Sequence, residues 1–238
     1  MEHITLPNLF FQRALENSDK PFLWAKKNND WKSLSWQETE IKVKQIAAGL
    51  KYHGIMPGDK IIIVSENRPE WIISDLAINT LNAITVPAYV TNTEDDHRYI
   101  IEHSDARAVI VSDNILANRI ALALSKVSSC KLLITMDEYS GFMPEGLKVE
   151  SYEKLTQIGE ENISTALHNL NTIDKDDICC LIYTSGTGGR PKGVMLTHKS
   201  IYHNILGADS LVKEVGDIEH TYLSLVPLSH AYEHMAIF

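Results

Sequence analysis

Cysteine is scarce in this chain, with three among 238 residues. Cys130 stands alone, and the adjacent Cys179 and Cys180 alternate across an extended segment, so a disulfide framework is excluded. The thiols are expected as small buried hydrophobes in a reducing, cytoplasmic compartment. Positive charge is also short. Against 31 Asp and Glu there are 22 Lys and Arg, giving a formal charge of -9 with no compensating basic run. No nucleic-acid partner is expected, and any polyphosphate must be held by a local patch. No apolar run approaches ~18 residues, and Met1-Glu2-His3 opens neither a basic n-region nor an apolar core. Neither a spanning helix nor a signal peptide is expected, leaving at most peripheral membrane contact. Internal repeats and low-complexity tracts are absent too. The 44% of hydrophobic residues suffices for a sizeable core in one or two domains.

What is present is concentrated in residues 183–193, which read Tyr-Thr-Ser-Gly-Thr-Gly-Gly-Arg-Pro-Lys-Gly. Four of the 12 glycines fall here (Gly186, Gly188, Gly189, Gly193), letting the backbone turn sharply and bring N–H groups close to an anion. Thr184, Ser185 and Thr187 add hydroxyl donors, and Arg190 and Lys192 add positive charge. Pro191 biases Arg190 towards an extended conformation. The preceding Ile178-Cys179-Cys180-Leu181-Ile182-Tyr183 is wholly apolar, as in a strand buried on both faces, and Val194-Met195-Leu196 resumes afterwards. Two common phosphate motifs fail on spacing. A Walker loop needs Gly directly before its Lys, whereas Lys192 lies between Pro191 and Gly193. A Rossmann fingerprint starting at Gly186 would place its third glycine at Pro191.

This segment closely resembles the signature loop of the AMP-forming acyl-CoA synthetases, within the superfamily of adenylate-forming enzymes. The usual pattern is Thr-Ser-Gly-Thr-Thr-Gly-x-Pro-Lys-Gly, from which the chain departs once, with Gly188 in place of a second Thr. The resemblance runs along nearly the whole chain. Leu34-Ser35-Trp36-Gln37-Glu38 is similar to an early strand-to-helix element, Gly58-Asp59-Lys60 with the following isoleucines to a first core strand, and Asn67-Arg68-Pro69-Glu70-Trp71 to a helix start. Val86-Pro87-Ala88-Tyr89 is similar to the next strand and turn. Asn82 stands there in place of the usual Gly, a mild change because Asn tolerates the left-handed conformation that ends helices. Pro227-Leu228-Ser229-His230-Ala231-Tyr232-Glu233 resembles the substrate-pocket motif in its long-chain fatty acid form.

The hydropathy pattern alternates strand and helix. Residues 60–65, 85–89, 107–111, 131–135 and 178–184 read as strands, and 68–81, 94–103 and 114–126 as crossover helices. The expected fold class is α/β, a largely parallel, doubly wound sheet flanked by helices, with its phosphate loop beyond the carboxyl end of a strand. Residues 6–18 and 36–53 read as amphipathic helices, the second stopped by Gly54. Residues 138–177, broken by Gly141, Pro144 and Gly146, read as a surface excursion. Thr221 to Pro227 reads as a strand beginning a second sheet, with an open edge that invites self-association.

The resemblance implies that residues 1–238 are a truncated N-terminal adenylation domain. Residues 58–215 would form a first α/β subdomain with the loop at 183–193, and 1–57 and 216–238 parts of an incomplete second one. It further implies a ligase that activates a fatty carboxylate with ATP as acyl-AMP and transfers it to coenzyme A. Thr184, Ser185, Gly186, Thr187, Gly188, Gly189 and Lys192 would bind nucleotide. His230 would orient the carboxylate and α-phosphate as the catalytic residue, with Tyr232 and Glu233 beside it in the substrate pocket. The main ligand of Mg2+ would lie outside this chain, on a C-terminal portion that is its expected partner. The chain alone is expected to be catalytically incomplete. The alternative from another class is a non-catalytic fragment, either partnering a separately encoded remainder or vestigial; the alternative substrate is an aryl carboxylate. Of the ten histidines, His230 and His234 are four apart and compatible with a metal pair, but no third ligand is evident, so no metal site is assigned. His198 and His203 are expected on a solvent-facing helix surface.

Overall fold

The computed structural model describes residues 4–184, 190–215 and 221–235. In chain order the elements are α1 (Leu6–Asn17), β1 (Pro21–Lys27), β2 (Asp30–Ser35), α2 (Trp36–Tyr52), β3 (Lys60–Val64), α3 (Pro69–Thr80), β4 (Ile84–Ala88), α4 (Glu94–Ser104), β5 (Ala106–Val111), α5 (Asn114–Leu124), β6 (Leu132–Thr135), β7 (Lys148–Ser151), α6 (Tyr152–Glu161), β8 (Ile178–Thr184), β9 (Lys192–Thr197), α7 (His198–Val215) and α8 (Ala231–Met235). Among the described residues no helix is long and apolar enough to cross a membrane.

Seven strands form one sheet in the order β7-β6-β5-β3-β4-β8-β9, parallel throughout except for the antiparallel β8–β9 pair. The pleat sends alternate side chains of β3 to opposite faces. Ile61 and Ile63 join a core with Val43 and Ile46 of α2, Trp71 of α3 and Leu155 of α6. Ile62 and Val64 join a second core with Ile101 of α4 and Ile120 of α5. The sheet is therefore covered on both faces, which explains its continuous apolar strands. A third cluster packs Leu6 and Leu9 of α1 and Ile201 of α7 on Cys180 and Ile182 of β8. All three cysteines are free and buried.

Local chemistry sets the boundaries. Ser35 and Glu38 form a reciprocal capping box at the start of α2, and Thr93 and Asp96 do the same for α4. Gly54 follows α2 with φ +83°, and Asn82 ends the turn after α3 with φ +57° while donating to Asp177 Oδ2 at 3.0 Å.

Three expectations need correction. Residues 138–177 are not wholly a surface excursion. They include β7, which pairs in parallel with β6 at the sheet edge, and α6, which crosses α2 so closely that a Cβ on Gly159 would lie 1.7 Å from the Gln45 carbonyl oxygen. The expected strand from Thr221 to Pro227 has no ladder partner among the described residues and runs as an irregular, exposed segment. His198 does not face solvent: it is buried, and its Nδ1 accepts from the Leu6 N–H at 3.4 Å. His203 is exposed. The expected strand-to-helix element at Leu34 to Glu38 is the end of β2 and the start of α2, while β1 matches no expected element. Strands β1 and β2 form a separate hairpin turned by Asn28 and Asn29, both at positive φ, as a two-residue primed turn requires.

Candidate phosphate-binding site

Strand β8 runs parallel to β4, so Thr184 emerges at the edge where the other parallel strands end their carboxyl termini. There β8 turns back into β9, with Thr184 opposite Lys192 and Tyr183 opposite Gly193. Both Thr184 and Lys192 are exposed. A hydroxyl-bearing and an ammonium-bearing residue thus sit in register on the two rims of the hairpin. Ser185, Gly186, Thr187, Gly188 and Gly189 lie outside the described residues. Gly193 serves packing here, since a Cβ would fall 2.9 Å from Leu181 Cδ1 and 3.4 Å from Tyr183 Cζ.

Helix α4 supports this hairpin from below. Tyr99 donates its hydroxyl to the Pro191 carbonyl at 3.0 Å, and the Arg190 guanidinium lies over the Tyr99 ring, 5.3 Å from its centroid. One turn later, His103 Nδ1 shares a hydrogen bond of 2.8 Å with the Tyr183 hydroxyl. The rings of Tyr99, His103 and Tyr183 pack edge-on or tilted, with centroids 5.2 to 6.4 Å apart. Burial pushes the Tyr183 phenol up to about 12, so it stays a neutral donor and acceptor.

The second group of expected site residues lies on the segment 221–235. His230 is exposed; its N–H donates to the Pro227 carbonyl at 2.8 Å, and its Nδ1 accepts from the Tyr232 N–H at 3.3 Å, which caps α8. Tyr232 faces solvent, while Glu233 points inward and accepts from the Tyr222 hydroxyl at 2.8 Å. Desolvation and the adjoining carboxylate push the Tyr222 phenol up to about 12. Asn67, in the loop after β3, pins the segment by donating to Ser224 Oγ and the Val226 carbonyl and accepting from the Leu228 N–H, each at 2.8 Å.

His234 is where the sequence carried least signal. It does not pair with the exposed His230 but is buried, with Nε2 2.9 Å from Asp75 Oδ2 and Nδ1 3.5 Å from Cys180 Sγ. Burial raises the Cys180 thiol well above its ordinary value, keeping it protonated and able to donate to Nδ1, so Nε2–H faces the carboxylate. Asp75 also accepts from Asn79 Nδ2 at 3.1 Å, and the His234 ring meets Trp71 edge-on. Among the described residues no group of three or more His, Cys, Asp and Glu side chains could hold a metal ion. The residues described do not fit a magnesium site.

A family model described as AMP-binding enzyme matches residues 10–238. The peroxisomal long chain acyl-CoA synthetase 6 of Arabidopsis thaliana is 32% identical over 209 residues, covering 86% of this chain and 29% of that protein. A long-chain-fatty-acid–CoA ligase of Mycobacterium tuberculosis is 28% identical over 230 residues, covering 96% and 37%. The chain thus spans about a third of the length of the curated relatives it matches. Among solved structures, the A-PCP didomain of a carboxylic acid reductase from Segniliparus rugosus, in complex with AMP, superposes with a TM-score of 0.80 at 20% identity, over 100% of this chain and 38% of that one. A crystal structure described as a long-chain-fatty-acid CoA ligase from Rhodopseudomonas palustris superposes with a TM-score of 0.76 at 18% identity, over 99% and 55%. At these identities the superpositions carry the fold alone.

Proposed function

The chain belongs to the AMP-binding enzyme family, and from that premise we propose that it forms the nucleotide-holding part of an ATP-dependent ligase that activates fatty carboxylates. The observation that carries this reading is the β8–β9 hairpin. It opens at the carboxyl edge of a doubly wound sheet, the side where such sheets bind phosphates, with Thr184 and Lys192 exposed across its rims.

In the first step a carboxylate oxygen attacks the α-phosphorus of ATP. The new O–P bond gives acyl-AMP, and the bond to the bridging oxygen breaks to release pyrophosphate. In the second, the sulfur of coenzyme A attacks the acyl carbon, AMP leaves with the former carboxylate oxygen, and the thiol proton passes to solvent. Negative charge grows on the departing pyrophosphate. Donors at the hairpin, the Lys192 ammonium foremost, would stabilise that charge more than the ground state. His230 stands exposed at the head of α8 and is assigned to orient the carboxylate, with Tyr232 at the acyl opening. Any magnesium on the phosphates would have to be held by residues other than those described.

The relatives are about three times longer than the match, so the 238 residues alone are proposed to hold nucleotide without completing the reaction. The test is pyrophosphate release with ATP and either a long-chain fatty acid or benzoate, with and without the C-terminal portion of a relative supplied in trans. Release with fatty acid only on adding that portion supports the proposal. Release with benzoate instead points to an aryl carboxylate, and no release under any condition to a non-catalytic chain.

A further inference from the structure

We propose that Tyr99 and His103 are positioning residues that hold both rims of the phosphate loop from one face of α4, a role resting on the nucleotide-binding reading above. The two side chains are four residues apart, so they project from the same helix face. That face is fixed at its start by the capping box of Thr93 and Asp96. From it, His103 grips Tyr183, the residue before Thr184, through the 2.8 Å hydrogen bond. Tyr99 grips the opposite rim twice, through its hydroxyl on the Pro191 carbonyl and its ring beneath Arg190. Pro191 immediately precedes Lys192, so the strand that presents the ammonium is held just before its first residue.

Both contacts reach across more than 75 residues of sequence. Of the residues involved, Tyr183, Arg190 and Pro191 lie within the 183–193 segment, whereas Tyr99 and His103 had no place in the site from sequence. The benefit is pre-organisation. A hairpin whose ends are already set loses less freedom when a polyphosphate binds, and its donors need not be drawn together at that moment. Tyr99 and His103 would act on nucleotide only through these neighbours, which distinguishes them from Lys192.

Two measurements on the 238-residue chain test the proposal: amide hydrogen exchange at Arg190, Lys192 and Gly193, and ATP affinity by calorimetry at fixed low salt. Tyr99→Leu removes both contacts, Tyr99→Phe keeps the ring, and Arg190→Ala removes the cation. Tyr99→Leu is expected to speed exchange at the three amides and weaken ATP binding by about two- to fivefold, the range of a partly exposed cation–π contact. Tyr99→Phe should retain part of both. In the double variant, Tyr99→Leu should weaken binding by less than it does alone, because the two residues act through one contact. Unchanged exchange in Tyr99→Leu overturns the hold on the loop's rims whatever happens to ATP. Faster exchange with unchanged affinity overturns its role in nucleotide binding. Faster exchange in a chain whose wild type binds no ATP leaves a structural contact and overturns the nucleotide reading itself.

Discussion

Replacing His234 by alanine should destabilise the chain far more than loss of one short-helix side chain suggests. His234 and Asp75 are 2% and 0% exposed and 2.9 Å apart. Without the imidazole, Asp75 Oδ2 loses its donor, and a buried carboxylate without its partner costs about 3 to 5 kcal/mol. Short of Asp75 taking up a proton, the chain's escape is to lift residues 226–235 away and let water reach Asp75. That exposes Leu228, worth about 1.5 to 3 kcal/mol. It also breaks the Asn67 contacts to Val226 and Leu228, each worth about 0.5 to 1.5 kcal/mol. Both routes cost similar amounts, so the expected loss is about 3 kcal/mol, or roughly 6 to 12 °C in Tm for a domain of this size. Urea and thermal unfolding of His234→Ala, Asp75→Asn and the double variant measure it. Because Asp75→Asn removes the stranded charge, the double variant should be more stable than His234→Ala alone. A double variant weakened by the sum of the two single losses would refute the reasoning.

Gly159→Ala drives a methyl to within 1.7 Å of the Gln45 carbonyl oxygen, a backbone atom that cannot swing away. It should cost about 1 to 3 kcal/mol or more. Gly207→Ala, whose added Cβ would meet open space in the interior of α7, should be neutral or stabilising by up to about 1 kcal/mol, and equal melting temperatures for the two variants would contradict the close crossing. Burial holds the imidazoles of His97 and His198 down to about 4, below the ~6.5 of an unfolded chain. Their contribution is complete above pH ~6.5 and is lost as pH falls towards ~4, up to about 3 kcal/mol each. Unfolding followed across that window should show falling stability with a gentler slope in His198→Gln, and an unchanged slope would remove His198 from the effect.

The central strands were legible because both faces of β3, β5 and β6 are covered, leaving runs such as Ile61-Ile62-Ile63-Val64 with no polar interruption. Strand β7 is an edge strand with exposed ends, so no such run marked it. Helix α6 was hidden because Gly141, Pro144 and Gly146 marked the whole stretch as broken; Gly159, within the helix, is the residue that lets Gln45 approach. The β1–β2 hairpin did carry a signal, the Asn28-Asn29 pair between apolar segments. Tyr222 to Val226 has strand composition, yet composition supplies no partner strand. The loop residues Thr184 and Lys192 were recognisable because their spacing is local. Tyr99 and the Asp75–His234 pair were not, since each acts on a residue 91 or more positions away. His198 was misplaced for a related reason: its burial comes from α1, at the other end of the chain.

Calorimetric titration of wild type and Lys192→Ala with ATP and with pyrophosphate bears most directly on the phosphate-binding role of the β8–β9 hairpin. Wild type should bind both, more tightly as salt is lowered because the contacts are largely electrostatic. Lys192→Ala should bind more weakly and with a shallower salt dependence. Equal binding by the two proteins, or none by wild type, would contradict it.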